Sequence, residues 1–192
     1  MVLRRISTPN LLTGLRIVLI PVLVAVFYLA PVEWRYLGSA AIFSIAAITD
    51  WMDGYLARRM GQLTPFGAFL DPVADKLIVA VSLVLLVELH ASAILAIPAV
   101  VIVGREIVVS ALREWMAHYS GLRSVAVSML GKVKTVFQMV AIILLLALGP
   151  EKRDAVVVGY TLLYIAAGLT LWSMYEYLKL AWPDLSSGMK ND

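Results

Sequence analysis

Six apolar stretches, each long enough to cross a bilayer and joined by short polar segments, leave this chain few ways to fold. They run over Pro9–Leu29, Tyr36–Arg58, Thr64–Leu89, Ser92–Met116, Val125–Leu148 and Ala155–Leu180. A helix needs about 20 mostly apolar residues to span the hydrocarbon core. In lipid, each segment must also satisfy its own backbone N–H and C=O groups. The expected fold class is therefore all-α: a polytopic membrane helix bundle of six transmembrane helices, forming one domain over residues 1–192. Composition agrees, since 61% of the 192 residues are hydrophobic and only 15% are charged, far from the usage of soluble domains.

Charge placement sets the expected topology. The net charge of +3 does not point to nucleic acid, because the basic residues gather at the ends of the apolar segments. With the N-terminus in the cytoplasm, every Lys and Arg except Arg35, Lys152 and Arg153 falls on the cytoplasmic side, so both termini are expected there. Trp34, Tyr36, Trp172, Tyr175, Tyr177 and Trp182 lie near segment ends, as an aromatic belt would. The start "MVLRRIS" is similar to a signal peptide, but the apolar run after it is long and has no clear small-residue cleavage site. An uncleaved first span is expected. The polar tail from Pro183 is expected to fray. Cysteine is absent, which excludes disulfides, a thiolate metal site and a cysteine nucleophile.

Against this background, "DWMDGYLARRMGQLTPFGAFLDPVADK" stands out, with Asp50, Asp53, Asp71 and Asp75 beside lipid-like segments. On a helix of 3.6 residues per turn, Asp50, Asp53, Gly54, Ala57 and Arg58 share a face, as do Asp71 and Asp75. A turn near Gly61 and Gln62 makes the two helices antiparallel neighbours, which lets the four carboxylates converge. Left bare, they would repel one another and resist desolvation. A divalent cation relieves both penalties, and hard carboxylate oxygens suit Mg²⁺ or Mn²⁺. Only His90 and His118 are available as nitrogen ligands and both are remote in sequence, so zinc is not expected.

Gly54, Ala57 and Gly67 keep the same region nearly free of side chains. This suits either tight helix packing or the close approach of a bulky ligand. Thr8-Pro9 and Thr64-Pro65 each read as a helix cap followed by a first-turn proline, leaving N–H groups that suit a phosphate as well as an ordinary cap. A basic group comprises Arg105 and Arg113 on the fourth span and Lys132 and Lys134 at the start of the fifth. Arg113 can be read as an ion pair with Glu106, and the lysines as interfacial. Lys132 and Lys134 cannot share a helical face, so one of them is expected to point inward. Arg105 comes after the apolar run "ILAIPAVVIVG", where an idle charge would be costly, so it is expected to meet an anionic substrate group.

The pattern Asp50-x2-Asp53-Gly54-x2-Ala57-Arg58-x8-Gly67-x3-Asp71-x3-Asp75 resembles, without departure, the signature of the CDP-alcohol phosphotransferases. "ITDWMDGYLARR", "FGAFLDPVADK", "GREIVVSALREWMA" and "GKVKT" further resemble the branch that makes phosphatidylglycerophosphate from CDP-diacylglycerol and glycerol 3-phosphate. The resemblance implies that Asp50, Asp53, Asp71 and Asp75 bind two Mg²⁺ or Mn²⁺ ions and that Asp75 is also the catalytic base. It places CDP-diacylglycerol on Thr8, Asn10, Thr13, Gly54, Ala57, Arg58, Thr64 and Gly67. Glycerol 3-phosphate is then expected on Arg105, Arg113, Lys132 and Lys134. The resemblance also implies a homodimer among membrane lipids, in a bacterial inner (plasma) membrane with the active site facing the cytoplasm and no nucleic-acid partner. The alternatives are another acceptor alcohol, a membrane prenyltransferase or a divalent-cation transporter. A prenyltransferase would need a second acidic motif that the chain after Asp75 lacks. A transporter would leave the glycines and Arg58 unexplained.

Overall fold

In the computed structural model the described backbone covers residues 8–60, 65–119 and 129–188. The described side chains are those of 11–52, 67, 69–116, 133–152, 154–183 and 186. Six helices account for nearly all of it: α1 (Thr8–Leu29), α2 (Val32–Met60), α3 (Pro65–His90), α4 (Ala93–Tyr119), α5 (Met129–Leu148) and α6 (Arg153–Gly188). No strand occurs among the described residues. The helices coincide with the six apolar stretches of the sequence to within a few residues at most ends.

Among the described residues, three stretches are long and apolar enough to cross a membrane: Leu11–Leu29, Ala93–Met116 and Asp154–Pro183. Val133–Leu148 forms a shorter apolar helix. Large hydrophobic side chains point outward in quantity, including Leu29 at 82% exposure and Val100 at 71%. The buried positions combine leucine with alanine, the latter at Ala40, Ala46, Ala74, Ala99, Ala141, Ala166, Ala167 and Ala181. This distribution suits lipid, where helices associate through close van der Waals packing over small residues. The protein is an integral membrane protein.

The chain divides into two compact units. The first holds residues 1–91 and 142–156, with α1 packed on both α2 and α3 around Leu23, Phe27, Phe43, Leu83 and Leu86. Within it the Tyr28 hydroxyl donates to Glu88, so Glu88 is tied to α1. The second holds residues 92–141 and 157–192, with Leu95, Ile102, Leu112 and Leu163 among its buried side chains.

Four hydroxyls inside helices are satisfied locally. Ser44, Thr49, Ser82 and Ser110 each donate to the carbonyl four residues earlier, so none presents an unmet donor to lipid. Gly149 ends α5 with φ +62, in the left-handed region. A Cβ there would lie 2.8 Å from the Tyr36 ring, so both backbone and space demand glycine.

Two expectations need correction. The tail from Pro183 does not fray at once, because α6 continues to Gly188. Pro183 is exposed within that helix, and the Ser186 hydroxyl donates to the Pro183 carbonyl at 2.9 Å. Tyr177 is not part of an aromatic belt. It is 8% exposed and packed with Leu112, Met116 and Ala181, because its ring faces α4 and not the membrane surface.

Candidate active site

Two polar clusters lie among these apolar helices, one in each unit. In the first, Thr13 and Arg16 stand three residues apart on one face of α1, and both are 1% exposed. Arg16 reaches two helices at once. Its Nη1 donates to Asp50 Oδ1 of α2 at 2.6 Å and its Nη2 to Asp71 Oδ1 of α3 at 3.4 Å. The Thr13 hydroxyl also donates to Asp71 Oδ1. A guanidinium buried this deeply is tolerable only when paired. The carboxylates themselves stay 41% and 39% exposed, so the pair faces outward to an accessible surface.

Asp75 lies one turn after Asp71 on the same helix and is half-buried, and Gly67 is buried one turn before Asp71. Asp53, Gly54, Ala57 and Arg58 continue α2 beyond Asp50, but beyond the backbone they lie outside the described residues, as do the side chains of Thr8 and Asn10. Thr64 lies outside them altogether, while Pro65 opens α3 as a first-turn proline should.

Among the described residues, no group of three or more acidic or histidine side chains closes on a common point. Asp50 and Asp71 are nevertheless brought together from different helices, and their hard oxygen donors fit Mg²⁺ or Mn²⁺. Arg16 is the residue that sequence reasoning misses, since by position it reads only as a topological charge. Its signal is visible all the same: a charge inside an apolar span, one turn after Thr13.

The second cluster is basic. Arg105 and Lys134 are each 6% exposed, one from α4 and one from α5. Arg105 Nη1 donates to Glu106 Oε1 at 2.6 Å, and Lys134 Nζ lies 3.6 Å from the same oxygen. Lys134 is thus the buried lysine of the "GKVKT" segment, whereas the Lys132 side chain lies outside the described residues. Arg113 does not form the ion pair with Glu106 that the sequence allowed as one reading. It reaches α6 instead, donating from Nη2 to the Tyr177 hydroxyl at 3.0 Å. The reason is distance: residues 106 and 113 are two turns apart, about 10 Å along the axis, while Tyr177 lies alongside. Two buried cations therefore share one carboxylate. Arg105 Nε and Lys134 Nζ remain buried with no hydrogen-bond partner in the protein, a state that an anion would relieve.

The class defined by this fold and these clusters is a polytopic helical membrane protein that buries basic side chains among its spans and pairs them with partly exposed carboxylates. The chain belongs to the CDP-alcohol phosphatidyltransferase family, whose model matches residues 6–172. A relative from Pseudomonas fluorescens is 55% identical over 182 residues, covering 94% of this chain and 93% of the relative. Relatives from Shigella flexneri serotype 5b and Escherichia coli strain K12 are each 52% identical, covering 93% of this chain and 97% of their own. All three are named CDP-diacylglycerol–glycerol-3-phosphate 3-phosphatidyltransferase.

Proposed function

We propose that this protein transfers the phosphatidyl group of CDP-diacylglycerol to sn-glycerol 3-phosphate, yielding phosphatidylglycerophosphate and CMP. The observation that carries the reading is the near full-length match, at 52–55% identity, to relatives named for that reaction.

Asp50, Asp53, Asp71 and Asp75 would hold two divalent ions, Mg²⁺ or Mn²⁺, which would supply neutralisation of the diphosphate and of the charge that builds on the departing CMP. Arg16 and Thr13 orient two of these carboxylates. The nucleotide diphosphate lies against Gly54, Ala57 and Gly67, with Thr8, Asn10, Arg58 and Thr64 as polar contacts. Asp75 takes the proton of the glycerol hydroxyl. The freed oxygen attacks the phosphorus that bears diacylglycerol, and the bond from that phosphorus to CMP breaks. No covalent enzyme intermediate is required. Arg105, Arg113, Lys132 and Lys134 hold the phosphate of the acceptor and so favour it over a neutral alcohol.

The charge pattern supports the setting: six spans, both termini and the active site on the cytoplasmic side, in a bacterial inner membrane. Residues 1–192 act as one domain and the protein works as a homodimer. The family match over residues 6–172 draws on both compact units, which supports the single-domain reading. Purified protein in detergent, given CDP-diacylglycerol with glycerol 3-phosphate, serine or inositol in parallel, tests the assignment. CMP release is expected with glycerol 3-phosphate alone and is expected to stop on chelation. Release with serine or inositol instead would move the protein to another acceptor.

A further inference from the structure

The sequence of α6 reads as an ordinary apolar span, yet Thr170, Ser173 and Tyr177 recur at i, i+3 and i+7. All three are buried, at 0%, 3% and 8% exposure. They form one polar stripe inside the second unit. Ser173 behaves unlike Ser44, Ser82 and Ser110, which close onto their own helix. Its hydroxyl instead accepts from Arg105 Nη2 at 3.2 Å. Tyr177 accepts from Arg113, and the Arg113 guanidinium carbon lies 5.1 Å from its ring centroid, within cation–π range. That ring is itself held by Leu112, Met116 and Ala181.

We propose that Ser173 and Tyr177 are positioning residues for the acceptor's phosphate, fixing the Arg105 and Arg113 guanidiniums so that a phosphate monoester finds its donors already oriented. The proposal rests on the reading of this cluster as the acceptor-phosphate site. Arg105 is pinned at both terminal nitrogens, by Glu106 on its own helix and Ser173 on α6, so its plane cannot turn. Its Nε, together with Lys134 Nζ, is left buried without a hydrogen-bond partner in the protein, although Lys134 Nζ lies 3.6 Å from the Glu106 carboxylate. Orienting a planar fork before the ligand arrives removes part of the ordering cost of binding. Two hydroxyls on an apolar helix thus act on affinity for one substrate while touching neither.

Steady-state kinetics in detergent–lipid micelles, with each substrate varied in turn, test this on Tyr177→Phe, Ser173→Ala, Ser173→Thr and Arg105→Ala. Tyr177→Phe keeps the ring and its packing, so folding is preserved while the hydroxyl is lost. Tyr177→Phe and Ser173→Ala are each expected to raise the KM for glycerol 3-phosphate roughly 3- to 12-fold, the net worth of one ordinary hydrogen bond. The KM for CDP-diacylglycerol and kcat are expected to stay within about twofold, and Ser173→Thr to restore most of the loss. If Arg105→Ala raises the KM for glycerol 3-phosphate but the α6 variants do not, the positioning role is wrong and the acceptor site stands. If Arg105→Ala leaves that KM unchanged, the acceptor reading fails and the α6 role with it. Equal changes in both KM values, or a loss that Ser173→Thr does not recover, mark a structural role and overturn the proposal.

Discussion

At the scale of single residues, the two clusters assign different work to charge. Asp75 is expected to remove a proton, and Asp75→Asn leaves the other three carboxylates in place. Turnover should fall by about 10²–10⁴-fold, with binding of CDP-diacylglycerol retained when measured separately by equilibrium titration. Arg16 does something else, because its burial at 1% exposure makes sense only through its two carboxylate partners. Arg16→Gln breaks a pair that is buried on one side and partly solvated on the other. A loss of roughly 1–3 kcal/mol is expected, below the full cost of breaking a wholly buried pair. Thermal unfolding in detergent with a chelator present checks this, and Arg16→Lys should recover part of the loss. An unchanged midpoint for Arg16→Gln would remove the bridge from the account of this unit.

Between helices, a single glycine closes the C-terminal end of α5, and its two constraints can be separated. Gly149→Ala places a methyl 2.8 Å from the Tyr36 ring and forces a side chain onto a backbone at φ +62. Backbone strain and overpacking together should cost about 2–4 kcal/mol. Replacing Tyr36 by Leu in the same protein removes only the steric part. A midpoint between those of Gly149→Ala and wild type is therefore expected, and complete recovery would show that the backbone contributes nothing. The same helix scale explains why α6 does not announce itself as a site element. Ser173 and Tyr177 are common in membrane helices, and only their contacts with α4 separate them from packing residues.

For the whole molecule, the proposed topology makes a prediction that the composition makes easy to test. The chain has no cysteine, so a single introduced thiol is the only target of a maleimide. Ser186→Cys, beyond the last span, is expected to react with a membrane-impermeant reagent only from the cytoplasmic face. Glu151→Cys, between α5 and α6, should react only from the opposite face. Labelling of both from the same side would overturn the six-span arrangement, since those residues flank a single stretch long enough to cross.

What this sequence determined alone is what depends on local order. Apolar length placed the six helices, and 3.6-residue periodicity put Asp75 one turn after Asp71, since both depend on backbone geometry within one segment. The Asp and Gly spacing was enough to identify the family by resemblance, because that pattern spans two adjacent helices and a short joint. What only the tertiary structure decided is which distant side chains meet. Arg16 and Asp71 are 55 residues apart, Arg105 and Ser173 are 68 apart, and Arg113 and Tyr177 are 64 apart. Nothing in the periodicity of one helix states which face of another it will touch. In lipid the choice rests on small-residue packing and on pairing buried charge, both of which are properties of assembled helices. Arg113 thus meets Tyr177 on another helix, while Glu106 lies two turns away on its own.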